Sequence, residues 1–415
     1  MTRPLLKNSA WSIAGASATR AGSLLATIAA AKVSSIETFA NYTISQNMVA
    51  TLTAFATFGI ATSCAKKIAE TASVNEKKEI LFFYLTTSVI LLGIFCGALA
   101  FNAEYLASVV YDGTASPIAI SAPALILFFS AASSVLQGAL MGEQRFKEVS
   151  QSNILSAVLA LLVPPIALLY SSEVGIYSLS ISHLVCFILN IKQLRSCKIL
   201  GFSPPSKSRL KLLCETTITF TFPAALSNLL VGPVNWAATL ILIHNTKDLF
   251  VVAEYNIAYQ LYAAILFVPA AISTVSLPML ARSQPEQKIK LLRSSSLLAT
   301  AAAASMSIVF YTAAPLMPHV YGSEYSGSTH ILQVLCIAVV LNAANLNMGS
   351  YIAAINKMWI GFGLNLTWAV TYIVFAMLLV PHLLGEGLAL ALLIAYTFHT
   401  IFQILTIFIL HRKSI

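Results

Sequence analysis

Charge is scarce in this chain. Only 9% of its 415 residues are charged, 15 carboxylates against 24 lysines and arginines, while 58% are hydrophobic and the mean hydropathy is +0.82. A soluble domain of this length cannot hide so much apolar surface, because even a large core leaves much of the chain facing water. The natural solvent is a lipid bilayer. Cysteine is sparse too: Cys64, Cys96, Cys186, Cys197, Cys214 and Cys336 show no metal-ligand spacing, and none lies in a segment assigned to the outer side. They read as buried or cytoplasmic free thiols. Also missing are a Walker-type phosphate loop, an HExxH motif and paired intramembrane aspartates, so ATP hydrolysis within the chain is not expected. No catalytic constellation, metal site or cofactor is expected.

What the chain does have is long apolar runs. A crossing needs about 20 mostly apolar residues, and twelve such runs lie near 8–31, 38–63, 80–101, 117–141, 151–170, 174–191, 213–243, 250–281, 294–314, 329–354, 359–380 and 387–410. The first is too long for a signal-peptide core and shows no convincing cleavage site, so it reads as a retained span. Long runs without dyad alternation select helices, because each backbone polar group in hydrocarbon must be satisfied within its own segment. The expected fold is all-α and polytopic.

The basic residues give the orientation. With the N-terminus inside, all 24 lysines and arginines fall on the cytoplasmic side except Lys32, Lys247 and Arg20. The outer loops carry acids instead, among them Glu37, Glu104, Asp112 and Glu386. This is the positive-inside pattern, with both termini cytoplasmic. It places the formal charge of +9 beside the anionic inner leaflet and argues against a nucleic-acid partner. The basic loop "KQLRSCKILGFSPPSKSRLK" divides the spans six and six. The expected organisation is an N-terminal half over 1–191, a cytoplasmic linker over 192–212 and a C-terminal half over 213–415. "ANYTISQNMVA" (40–50) aligns with "AEYNIAYQLYA" (253–263) at equivalent places in the two halves. Two parallel bundles around a central path suit alternating access.

Arg20 is the exception among the charges. It lies roughly 18 Å along the first span at 1.5 Å per residue, where an arginine costs about 2.5–3.5 kcal/mol on insertion scales. Ser12, Ala16, Thr19, Ser23 and Thr27 form a small, polar stripe with Arg20 at its edge. A structural arginine, capping a broken helix or pairing with a carboxylate, is one reading. The favoured one is an anion contact in a water-filled cavity, since guanidinium is always charged and binds phosphate through paired donors.

Other polar residues complete a candidate substrate-binding set. Gln46 and Asn47 in span two line the same cavity or bridge helices. In span seven, which contains the kinking Pro223 and Pro233, Asn228 and Asn235 follow Thr221 at seven-residue steps. Span eight places Tyr255, Tyr259 and Tyr262 on one face with Asn256 and Gln260 adjacent, as an interfacial belt or a sugar-contacting surface. Glu254 is an interfacial acid or a titratable ion-coupling group. Asn342, Asn345 and Asn347 add amides in span ten.

"LLKNSAWSIAGASATRAGSLLATIAAAKV", followed by "ETFANYTISQNMVATLTAFATFGIATSCAKKIAE", resembles the opening of bacterial polysaccharide (O-antigen) flippases of the Wzx type. These belong to the multidrug/oligosaccharidyl-lipid/polysaccharide exporter superfamily. The shared features are Asn8 and Trp11, the aromatic entry at Phe39 and Tyr42, Phe58-Gly59-Ile60 and the basic "AKKIAE" exit; "QGALMGEQRFKEVSQSN" is similar to the family's loop after span four. The resemblance implies a MATE-like fold in the bacterial inner membrane and transport without enzymatic activity. Its implied substrate is an undecaprenyl-pyrophosphate-linked oligosaccharide, moved from the cytoplasmic to the periplasmic leaflet. Candidate partners are the polymerase and the chain-length regulator of the same pathway. Arg20 alone matches the cationic role of the family's lumen. The rival readings are a drug/cation antiporter of the same superfamily, which would usually carry an intramembrane carboxylate, and a polysaccharide polymerase, which would carry a large arginine-bearing outer loop.

Overall fold

The structure, a computed structural model, describes residues 2–35, 38, 42, 46, 53, 59–101, 118–246, 249–321 and 326–412. Among the described residues the secondary structure is helical, without strands. The helices are α1 (Thr2–Val33), α2 (Ile60–Glu70), α3 (Val74–Phe101), α4 (Ile118–Gly142), α5 (Phe146–Leu168), α6 (Ser172–Ser196) and α7 (Lys207–Thr216). A π-helical turn, Thr217–Thr221, leads into α8 (Phe222–Thr246), followed by α9 (Leu249–Arg282) and α10 (Pro285–Ala313). After short helical turns come α11 (Ser328–Ala354) and α12 (Met358–Arg412).

Eight helical stretches among the described residues are long and apolar enough to cross a membrane. Helices lie over each interval expected from hydropathy except 38–63, most of which falls outside the described residues. At 55 residues, α12 would run about 80 Å as one rod, more than twice the hydrocarbon thickness of about 30 Å. Its backbone instead breaks at Leu384 (φ 49°, ψ −124°). The two arms then pack together: the Trp368 and Tyr396 rings are 5.7 Å apart, and His399 Nδ1 donates to the Leu364 carbonyl at 3.0 Å. The break falls where the hydropathy separates the last two runs.

The chain packs as two compact units, residues 7–221 and residues 1–6 with 222–415. In the first, α2, α3 and α4 close over Ile60, Cys64, Ile80, Tyr84, Leu136 and Leu140. The segment 192–212, expected as a linker, is packed into this unit. Leu194 and Ile199 are buried in its core, and Arg209 of α7 bridges Glu76 (2.7 Å) and Glu79 (3.6 Å) on α3. The π turn that follows has a local cause. Pro223 has no amide to donate, and its ring crowds the carbonyl four residues back, so the helix widens for one turn. Phe220 and Thr221 are then seated on α2, with Lys66 Nζ 4.5 Å from the Phe220 ring centroid and Thr221 Oγ1 2.8 Å from Ser63 Oγ.

In the second unit, α8 to α12 surround Ala238, Leu242, Tyr262, Leu335, Val339, Trp368 and Leu392. Alanines fill many of the remaining core positions, among them Ala258, Ala338, Ala343, Ala376 and Ala395. Small side chains let helix backbones approach closely where lipid supplies no hydrophobic drive for association.

Lys66 is fully buried and pairs with Glu70 at 3.1 Å, while Glu70 also keeps Lys67 at 3.4 Å. Lys66→Ala removes both the ring contact and the pair, at a cost of about 1–3 kcal/mol. Lys66→Met retains the packing and costs less. Thermal unfolding of the detergent-solubilised chain checks this order, and equal midpoints for all three proteins would refute it.

Candidate functional site

In the first unit the candidate site starts from α1. Gly15 and Gly22 face α5, where added Cβ atoms would stand 2.9 Å from Ser150 Cα and 2.9 Å from Ala157 Cβ. Two such contacts, seven residues apart on both helices, hold α1 and α5 side by side in register. Between them Thr19 meets a cavity of about 240 Å³, lined also by Thr53, Ser130, Ser133, Ser134, Gln137, Asn153, Ser156, His183 and Cys186. Gln137 Nε2 donates to Asn153 Oδ1 at 2.7 Å, and Ser156 Oγ donates to the Ser182 carbonyl at 2.9 Å. A polar space of this size inside a membrane bundle has room for several waters and enough donors and acceptors to hold them.

Arg20 follows Thr19 and is exposed. Ser23 of the predicted stripe is exposed as well, and Ser12, Ala16 and Thr27 are half-buried. The buried side of α1 is instead Leu5, Ser9, Gly15, Gly22, Ala26 and Ala30. The guanidinium and its neighbouring hydroxyls therefore lie off the helix's packed face. Gln46 is half-buried, its Nε2 donating to Tyr42 Oη at 3.0 Å. Asn47 lies outside the described residues.

The second unit treats its polar residues in two ways. Asn228, Asn256 and Gln260 are exposed on α8 and α9. Asn235 is half-buried, with Nδ2 donating to the Val231 carbonyl at 3.0 Å. Thr221 does not continue their face, because the π turn rotates it onto Ser63 of the first unit.

The tyrosines turn the other way. Tyr255, Tyr259 and Tyr262 do stack along one face of α9, with centroids 5.9 and 5.2 Å apart. That face packs inward. Tyr255 is 3% exposed and shares a 3.1 Å hydroxyl contact with Tyr372; Asn342 Nδ2 donates to Tyr262 Oη at 2.7 Å and Tyr396 Oη at 3.0 Å. Tyr255 thus belongs to a hydrogen-bonded aromatic core rather than an open sugar platform. Tyr259 is only half-buried. Asn345 and Asn347 likewise join helices, accepting from Thr400 and Ser276 at 2.9 Å each.

Glu254 has a definite structural partner. Its Oε1 accepts from the Gly327 amide at 2.8 Å, at the N-cap of α11. A carboxylate there satisfies an orphan amide and complements the positive end of the helix dipole. A Cβ at Gly327 would stand 2.6 Å from Oε2, so a larger residue there would push the carboxylate aside.

Of the cavity residues, Thr19 was singled out from sequence as part of the polar stripe; the serines and amides of α4 and α5 were not. The available signal was the run "SAASSVLQ" (130–137), which places Ser130, Ser133, Ser134 and Gln137 on one helical face within an apolar span. Among the described residues no three His, Cys, Asp or Glu side chains gather as a metal site.

Comparison with known proteins follows this geometry. The family described as "Polysaccharide biosynthesis protein" matches residues 5–284. The EPS I polysaccharide export inner membrane protein EpsE of Ralstonia nicotianae is 27% identical over 192 residues, 45% of this chain and 44% of that protein. EpsE of Ralstonia solanacearum is 26% identical over 46% of this chain and 45% of its own length. The chain thus aligns with less than half the length of these relatives. Among solved structures, the Vibrio cholerae MATE transporter VcmN in its bent form superposes with a TM-score of 0.83 at 15% identity, covering 99% of this chain and 97% of that one. A MOP-superfamily transporter from Pyrococcus furiosus gives 0.82 at 16%, covering 99% and 95%. At such identities the likeness shows the fold, which is MATE-like.

Glu254→Ala removes the cap of α11 and should lower stability by about 0.5–2 kcal/mol, with Gly327→Ala destabilising through the same contact. Thermal unfolding measures both; a full-stability Glu254→Ala protein would dismiss the cap.

Proposed function

This chain belongs to the polysaccharide biosynthesis protein family, and we propose that it is a flippase for a lipid-linked oligosaccharide. In this reading twelve helices cross the bacterial inner membrane as two six-helix halves, with both termini cytoplasmic. The substrate is an undecaprenyl-pyrophosphate-linked repeat unit, an O-antigen unit or a related exopolysaccharide unit. Its head group passes from the cytoplasmic to the periplasmic leaflet by alternating access, for use by the polymerase and chain-length regulator of the pathway. The Ralstonia relatives, EPS I polysaccharide export inner membrane proteins, support the substrate class.

The observation that carries the reading is Arg20. It is exposed on α1, away from the helix's packed face, and follows Thr19, which lines the polar cavity. An arginine at this depth avoids lipid and marks an aqueous path, and its planar fork suits the oxygens of a pyrophosphate. Amides on the exposed faces of α8 and α9, Asn228, Asn256 and Gln260, together with Asn235, Gln46, Asn47 and the partly exposed Tyr259, supply neutral contacts for sugar hydroxyls. The antiporter reading draws on the MATE-like fold. Against it stands Glu254, the acid considered for ion coupling, which caps α11.

Arg20→Ala should abolish surface polysaccharide in a complemented deletion strain without changing protein abundance. Arg20→Lys keeps the charge but loses the fork, and should retain an intermediate level. Loss of a charge-assisted contact worth about 1.5–3 kcal/mol corresponds to roughly 10- to 150-fold in rate. Wild-type polysaccharide from the alanine variant would end this mechanism.

A further inference from the structure

The first unit carries an exposed basic surface on α7 and the loop before it. We propose that the segment from Lys198 to Ile218 is a binding surface for anionic phospholipid, with phosphatidylglycerol as its typical occupant. The inference rests on the membrane placement proposed above but not on the substrate.

Helix α7 is tethered by one side only. Arg209 reaches Glu76 and Glu79, and Leu213 and Thr216 are buried beneath it. The opposite stripe, Lys207, Lys211, Cys214 and Ile218, is exposed throughout. Neither lysine has an ion-pair partner among the described residues: Arg209 occupies the two acids of α3, and Glu215 pairs with neither lysine. The stripe grades from ammonium groups to an apolar residue along the helix. Leu210 and Leu212 flank it at 42% and 49% exposure.

The loop before α7 adds an aromatic ring at greater depth. Phe202 is 86% exposed, its ring set edge-on to Phe82 at 4.8 Å. Phe82 lies about 9 Å further along α3 than Glu76 at 1.5 Å per residue, where "ILFFYL" begins. The ring therefore stands at the level where α3 becomes apolar, and Lys207 stands outside it.

Length fixes the same level. The continuous helical stretch Lys207–Thr246 has 40 residues, about 60 Å, against a hydrocarbon core of about 30 Å. Its lysine-bearing first turns, costly in hydrocarbon, fit the headgroup layer. Two lysines without protein partners there, above leucines and an exposed ring, complement a phosphate-bearing lipid whose chains cover the apolar part.

Native mass spectrometry of the full chain, released from micelles holding equal phosphatidylglycerol and phosphatidylcholine, tests the proposal. Wild type should retain phosphatidylglycerol preferentially. Lys207→Gln with Lys211→Gln should cut that preference by about fivefold per lysine removed, while the unfolding midpoint in lipid-free detergent stays at the wild-type value. Equal retention of the two lipids by wild type, or an unchanged preference in the double variant, would overturn it. Orientation is read separately with a variant keeping Cys214 as its single cysteine. Labelling by a membrane-impermeant maleimide from the cytoplasmic face is expected, and labelling only from the periplasmic face would overturn the membrane placement without touching the lipid measurement.

Discussion

Hydrocarbon offers no hydrogen-bond partner to a backbone amide, and the rest of this structure depends on that constraint. It turns apolar runs into helices and makes every interruption a local problem with a local solution. Pro223 is answered by a π turn seated on Ser63 and Lys66. The break at Leu384 is answered by two arms that pack together, with His399 bonded to the Leu364 carbonyl. At the start of α11 the exposed amide of Gly327 is answered by Glu254.

The same scarcity of partners organises the side chains. In the second unit, Asn342 joins Tyr262 to Tyr396, and Tyr255 meets Tyr372, so the aromatic hydroxyls are consumed inside the unit. Such satisfied networks rigidify a core, because each member would be costly alone in low dielectric. The first unit does the reverse around Thr19, where hydroxyls and amides border an open space of about 240 Å³. Arg20, the next residue along, lies on the exposed side of α1. The second unit thus ties up these tyrosine hydroxyls internally, whereas the first keeps a polar-lined space open.

Hydropathy located the helices well wherever the structure describes them, because chain length per crossing is set by bilayer thickness. Facing was harder. Tyr255, Tyr259 and Tyr262 were correctly grouped on one side of α9, yet whether that side meets ligand or core depends on Tyr372 and Tyr396, over a hundred residues away in sequence. Glu254 read as an interfacial acid or an ion-coupling group; its contact with the Gly327 amide leaves no signature in the sequence. Asn228, Asn256 and Gln260 remained exposed, as polar residues without a partner on a neighbouring helix do.

From the sequence alone follow the solvent, the helical class, most crossing positions and the singular charge at Arg20, since composition and period report transfer from water to lipid directly. Which polar groups are spent on one another was decided only by tertiary structure, because hydrogen-bond satisfaction is a property of pairs. The tyrosine core, the cap at α11, the polar cavity and the packing of segment 192–212 into the first unit all arise from residues that the chain brings together across long separations.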